Sequence, residues 1–172
     1  MCGIVAIVRR QSTRASPSTA QVLALVNTAA GAFNADSVAA LDTCRASLQE
    51  LNSLLLGVPG AIALLESPGL SAEIAAQLDP LMQTLTTAAD DAVASGEIIA
   101  EDLNAARRAI KDVLWAILRD RLSVPEGIRA LGGAGESAAV ITALCSVHDA
   151  LSALDRLEVR GRDSLGLHLF VS

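Results

Sequence analysis

The chain opens Met1-Cys2-Gly3-Ile4-Val5-Ala6-Ile7-Val8 and turns charged at Arg9-Arg10. Residues 3–8 form a short, continuous, largely β-branched apolar run, the pattern of a buried strand. A strand needs a partner, because an unpaired edge exposes a row of backbone donors and acceptors. The far end offers one: Leu165-Gly166-Leu167-His168-Leu169-Phe170-Val171 is a second apolar run of similar length. The expected fold class is therefore α+β, predominantly helical, with strands 3–8 and 165–171 pairing from opposite ends. Two strands make a marginal sheet, so a helical layer or further sequence must cover it.

Between the two runs the apolar period is helical. Residues 9–17 read as a polar loop, and Ser18 is placed to cap a helix ending near Phe33, with Val22, Leu25, Val26 and Ala29 on one face. Asp36 is expected to cap the next helix, whose stripe is Leu41, Cys44, Leu48, Leu51 and Leu55. Gly57, Pro59 and Gly60 predict its stop, and a short piece follows over 61–65. A helix from Ser71 to Ser95 contains Pro80, which predicts a kink or a restart after Asp79. The strongest pattern runs from Ala100 to Leu122 through Leu103, Ala106, Ile110, Val113, Leu114, Ile117 and Leu118, with Trp115 beside the stripe and partly buried. Val124-Pro125-Glu126-Gly127 predicts a break, and Gly132-Gly133-Ala134-Gly135 a turn. The last helix, 136–157, should point Val140, Leu144, Val147, Leu151 and Leu154 inward.

With 172 residues the chain can bury a core without a disulfide scaffold. Hydrophobic residues make up 52% and aromatics only 2%, so the core must be built from Ala, Leu, Val and Ile, a composition that favours close-packed helices. The net charge of −6 and the lack of a basic cluster beyond Arg9-Arg10 and Arg107-Arg108 argue against nucleic-acid and membrane-surface partners. Cys2, Cys44 and Cys145 are an odd set without CxxC spacing, which fits a reducing, cytoplasmic compartment. The first run is too short and wrongly flanked for a signal peptide.

Cys2 carries the chemistry. Cys is small, so Met1 is expected to be trimmed, leaving a thiol and a free α-amine on one residue. That amine titrates near ~7.7–8.0 and can serve as general base for its own side chain. This is the arrangement of an N-terminal-nucleophile hydrolase.

A second segment, Leu157-Glu158-Val159-Arg160-Gly161-Arg162-Asp163-Ser164-Leu165-Gly166-Leu167, sharpens that expectation. Together with Cys2-Gly3-Ile4-Val5 it resembles the N-terminal region of class II glutamine amidotransferases, nearest the glucosamine-6-phosphate synthase branch (glutamine–fructose-6-phosphate aminotransferase). That family begins Met-Cys-Gly-Ile-Val-Gly and later carries Leu-Glu-Tyr-Arg-Gly-Tyr-Asp-Ser-Ala-Gly. The resemblance covers the first eight residues and roughly 145–171. It implies that Cys2 attacks the side-chain amide of glutamine and that ammonia leaves. The resulting γ-glutamyl thioester is hydrolysed, and the ammonia is delivered to a sugar phosphate held by a downstream domain. It further implies that Arg160 and Gly161 order the turn beside the nucleophile, that Asp163 and Ser164 hold that turn, that no cofactor is needed, and that the protein is a homo-oligomer.

The departures define a domain organisation. The family's motifs lie about twenty residues apart, whereas here a long helical stretch intervenes. Residues 1–10 and 136–172 are thus expected to be amidotransferase parts and 11–135 a helical insertion. Ala6 replaces the usual Gly, Val159 and Arg162 replace aromatics, and Leu165 replaces Ala. The family's oxyanion-hole Asn-Gly pair is missing, since no Asn-Gly dipeptide occurs in the chain. The 172 residues alone are therefore expected to be inactive on glutamine. The alternative is a non-catalytic helical regulatory or oligomerisation module on an inactive amidotransferase-like protein. Cys145 and His148, three apart on one helix, are too few for a metal site, so no metal is expected. Cys44 reads as core, and His168 sits opposite in parity to Leu167 and Leu169.

Overall fold

A computed structural model of the chain describes residues 6–9, 12–96, 98–133 and 137–157. Seven α-helices follow one another among them: α1 (Thr19–Ala32), α2 (Val38–Leu54), α3 (Gly57–Glu66), α4 (Leu70–Ser95), α5 (Glu101–Trp115), α6 (Val124–Ala130) and α7 (Ala138–Leu157). A π-helical turn, Ala116–Arg121, extends α5.

The α+β expectation is overturned: the described residues contain no strand, and the fold they form is all-α. Residues 6–9 have no ladder partner, and they are not a buried run, because Ile7 is 37% and Val8 92% exposed. Continuous apolar character marks a buried strand only where other elements close over both faces, and the helices bury their stripes against one another instead. Residues 3–5 and the second expected strand, 165–171, lie outside the described residues.

The main core joins α1, α2, α4, α5 and the π turn around Val22, Val26, Leu41, Cys44, Leu48, Leu51, Ile74, Leu78, Leu85, Ile110, Leu114 and Ile117. This core holds no polar or charged side chain. Such a core needs no internal hydrogen-bond network and draws its stability from apolar burial and packing. A smaller core of Ala61, Ile128, Ile141 and Cys145 unites α3, α6 and α7. Thus α7 rests on helices from the other side of the boundary expected at 135.

Caps set the ends. Ser18 and Gln21 form a reciprocal box: Gln21 N donates to Ser18 Oγ at 3.2 Å, and Ser18 N donates to Gln21 Oε1 at 2.9 Å. Ser37 caps α2, one residue later than expected, receiving Ala40 N at 3.4 Å. Asp36 turns outward to meet the Arg107 guanidinium at 2.8 Å. Gly57, at φ +70°, begins α3 rather than merely ending α2, and the two helices meet at 89°. The corner works because Gly60 passes against the Leu55 backbone, where a Cβ would lie 2.1 Å from the Leu55 carbonyl oxygen.

Two expectations about breaks are corrected, and a third is narrowed. No new helix begins after Asp79: α4 runs as one element through Pro80, which is exposed, so the backbone bond it forgoes faces water. The segment 124–130 is helical: Pro125 sits in the first turn, where its missing N–H costs little. The helix expected to continue regularly to Leu122 instead widens into the π turn, where Leu122 N donates to Ile117 O at 3.0 Å.

Candidate functional site: where the two ends of the bundle meet

The residues singled out by sequence, Cys2, Arg160, Gly161, Asp163 and Ser164, lie outside the described residues, as does His168. What is described are their neighbours along the chain: Ala6–Arg9 after the first motif, and α7 before the second.

These neighbours touch. Arg9 forms an ion pair with Asp149 of α7 through Nη2, and the same nitrogen donates to the Cys145 carbonyl at 3.5 Å. The Arg9 side chain is only 21% exposed, and its Nε is buried with no hydrogen-bond partner. A buried guanidinium nitrogen without a partner is costly, so the Asp149 carboxylate compensates an otherwise poor burial. Along the chain Arg9 reads as the charge that ends the first run and as half of a small basic pair with Arg10. The signal for its pairing is Asp149 itself, the single charged residue between Ala138 and Leu154.

Arg14 anchors the same stretch differently. Its guanidinium donates to the carbonyls of Ser53, Leu54 and Leu56. The first two are carbonyls at the C-terminal end of α2, which a cation satisfies both by hydrogen bonding and by opposing the helix dipole, and Leu56 lies in the corner before α3. Arg9 is thus stapled to α7, and Arg14 to the α2–α3 corner.

A cavity of about 480 Å³ lies between these staples, lined by Arg9, Ser12, Arg14, Val58, Ile62 and Thr142 among others. Its two guanidiniums are already engaged by Asp149, by Cys145 O and by the α2 carbonyls. On the far side of Arg9, a second cavity of about 270 Å³ is bounded by Leu55, Gly57, Arg121, Cys145 and Asp149. Arg121 Nε donates to Asn52 Oδ1 at 2.9 Å. The side chains around both cavities bind structure rather than present an assembled catalytic set.

The remaining candidates resolve simply. Cys44 is fully buried in the main core, and burial pushes its thiol up to about 11. Cys145 is 3% exposed, and its thiol is also raised, chiefly by burial and further by Asp149, against the opposing pull of Arg9. Raised thiols are poor nucleophiles near neutral pH. His148 packs over Gly127, where a Cβ would fall 2.2 Å from Nδ1. Among the described residues no three His, Cys, Asp or Glu side chains gather as metal ligands. Trp115, expected to be partly buried, is 51% exposed.

The stripe of α7 is corrected in part. Ile141 and Cys145 face the small core and Leu144 packs against it as expected, while Val140 and Leu151, also expected inward, are 40% and 39% exposed. The window Ala138–Asp155 is long and apolar enough to cross a membrane, with a mean hydropathy of 1.3 and 11% of it buried.

Comparison with known protein families, curated proteins and solved structures finds no match to this chain.

Proposed function

We propose that the chain is the N-terminal segment of a glutamine amidotransferase, with Cys2 as nucleophile and the described helices as a module carried between the two parts of its catalytic start. The observation that supports this reading is the Arg9–Asp149 pair. It holds the residues that follow the first motif against the helix that leads into the second. Asp149 is eight residues from Leu157, about 12 Å along a helix. Cys2 is seven residues from Arg9, a reach of at most ~25 Å. A long helical module that returns the chain to its starting point leaves two motifs, close together in the family, still able to meet.

In this reading the Cys2 thiolate adds to the side-chain amide carbon of glutamine, and its own α-amine carries the thiol proton to the departing ammonia. Water then cleaves the thioester to release glutamate. Arg160 and Gly161 order the turn beside Cys2, and Asp163 and Ser164 bond nearby backbone to hold it. Oxyanion donors must come from elsewhere, as the 172 residues hold no Asn-Gly pair, and losing even one such donor costs ~10²–10³ in rate. The ammonia passes to a sugar phosphate in a further domain.

The deciding measurement is glutamine-dependent ammonia release by the protein as cells produce it, beside its Cys2→Ala variant. The variant should lose glutamine use and keep any use of free ammonia, and mass spectrometry should find Met1 removed. The 172-residue chain alone should release no ammonia. Glutamine use that survives Cys2→Ala, or a retained Met1, would overturn the nucleophile assignment.

A second reading, a non-catalytic helical regulatory module on an amidotransferase-like chain, is favoured by the described core itself. It buries no polar or charged side chain, and both of its described thiols are shielded. Retained Met1 together with no glutamine turnover by the protein from cells would select it.

A further inference from the structure

The larger of the two cavities beside Arg9 has walls of opposite character. Val58, Pro59 and Ile62 of α3 give it an apolar side. Arg9 and Arg14 give it two positive charges, and none of the described residues that line it is acidic. Asp149 meets Arg9 from outside that lining. In a chain of net charge −6 this is a local surplus of the opposite sign.

We infer that this cavity binds a small organic acid, its oxyanion head held between Arg9, Arg14 and the first turn of α7 and a short aliphatic body laid against α3. These residues lie outside both amidotransferase motifs, so the site stands or falls apart from Cys2.

The two guanidiniums are held in place yet have donors left. Each carries five N–H donors. Arg9 engages Asp149 and the Cys145 carbonyl through Nη2 alone. Arg14 engages three carbonyls through Nη1 and Nη2. Nε and Nη1 of Arg9 and Nε of Arg14 therefore have no acceptor among the described residues. Arg9 Nε is also buried. A buried donor without an acceptor is costly, and an oxyanion beside Arg9 supplies one. Because the protein already fixes both side chains, binding costs little of their freedom.

The start of α7 acts in the same sense. Ala138 and Ala139 line the cavity, and the first turn of α7 has no acidic residue. Ser137 receives Val140 N on its Oγ at 3.5 Å and Ile141 N on its carbonyl at 3.0 Å. The amides of Ala138 and Ala139 have no acceptor among the described residues. Such amides and the dipole behind them favour an anion.

Size calls for a body as well as a charge. The cavity, about 480 Å³, falls within the ~300–1,000 Å³ of small-molecule sites, and a bare ion leaves the α3 wall wet. An aliphatic body removes that wall from water. The second cavity, about 270 Å³, is no rival, because the Asp149 carboxylate is part of its lining.

The test is calorimetric titration of the 172-residue chain at low ionic strength with n-butyl phosphate and with butyrate. At least one should bind at one site per chain with a dissociation constant of about 1 mM or tighter, the level a few charge-assisted contacts supply. The tighter acid names the head group, a phosphate ester or a carboxylate. It should bind about tenfold or more tightly than its bodiless counterpart, inorganic phosphate or formate, and 1-butanol should give no saturable heat. Arg14→Gln should weaken binding about tenfold or more. Arg14 also staples the α2–α3 corner, so a second pair of variants leaves both staples intact. Ala139 is exposed, and a carboxylate there suits the helix dipole while repelling the ligand. Ala139→Glu should bind about tenfold or more weakly than Ala139→Gln. Failure of both acids to reach the expected affinity, in a chain that circular dichroism shows to be helical, would overturn the inference. So would equal affinity for the acid and its bodiless counterpart, which marks an adventitious ion only, or equal binding by the two Ala139 variants, which puts the anion elsewhere.

Discussion

Arg9 and Asp149 lie 140 residues apart in sequence and form an ion pair that ties the start of the described chain to its last helix. The two partners are unequally placed. Arg9 is four-fifths buried and Asp149 nearly half exposed, so removing each should have a different effect. Asp149→Ala leaves a sheltered guanidinium whose Nε is already unsatisfied, while Arg9→Ala leaves a carboxylate that water can reach. Asp149→Ala should therefore destabilise more than Arg9→Ala. The coupling energy from a double-mutant cycle should stay below about 1 kcal/mol, given solvent screening of the exposed partner. Urea titration of the four proteins measures both quantities, and equal losses from the two single variants would contradict this asymmetry.

Three glycines should respond in three ways to the same substitution. At Gly60 a Cβ would sit 2.1 Å from the Leu55 carbonyl oxygen, a backbone atom that cannot move without opening the α2–α3 corner. Gly60→Ala should cost more than ~3 kcal/mol, beyond ordinary overpacking. At Gly127 the obstacle is the His148 ring, 2.2 Å away at Nδ1. Gly127→Ala should cost ~1–3 kcal/mol, and most of that loss should vanish when His148→Ala is added, a non-additivity expected of touching residues. Gly31 lies in α1 with nothing within 4 Å of the position its Cβ would take. Gly31→Ala should stabilise by ~0.5–1 kcal/mol through helix propensity and a less flexible unfolded chain. Thermal denaturation of the three variants and the double variant checks the order.

The contrast between α2 and α7 explains how much of the fold could be read from the sequence. In α2 the apolar stripe Leu41, Cys44, Leu48 and Leu51 is also its buried stripe, because the residues flanking it are polar and only one face can turn inward. α7 has small or apolar residues most of the way round, so Ile141 and Cys145 compete with Val140, Leu144 and Leu151, and periodicity alone cannot choose between them. The choice came from α3 and α6, which offer a narrow surface that Cys145 and Ile141 fit. Residues 6–8 failed for a related reason. A run such as Ala6-Ile7-Val8 reads as a strand only if something covers it, and cover is a tertiary fact. The Arg9–Asp149 tie was unreadable because nothing local connects residues 140 apart.

Stability at high pH should report on Cys44. Its thiol is fully buried, and burial pushes it from an ordinary 9.0 up to about 11. A group whose proton is held more tightly in the folded state contributes stability that is fully present below its unfolded pKa. That contribution is lost as pH rises through the folded pKa, because the unfolded chain gains by ionising first. The window is therefore pH 9 to about 11. Across it stability should fall, with Cys44 contributing at most about 1.4 kcal/mol per pH unit. Cys145, raised in the same direction, adds to the slope. Cys44→Ala should lower stability at neutral pH by leaving a small cavity, yet flatten the decline above pH 9. Chemical denaturation at pH 7, 9 and 10.5 measures it, and an identical decline in both would show that the Cys44 thiol is not the group responsible.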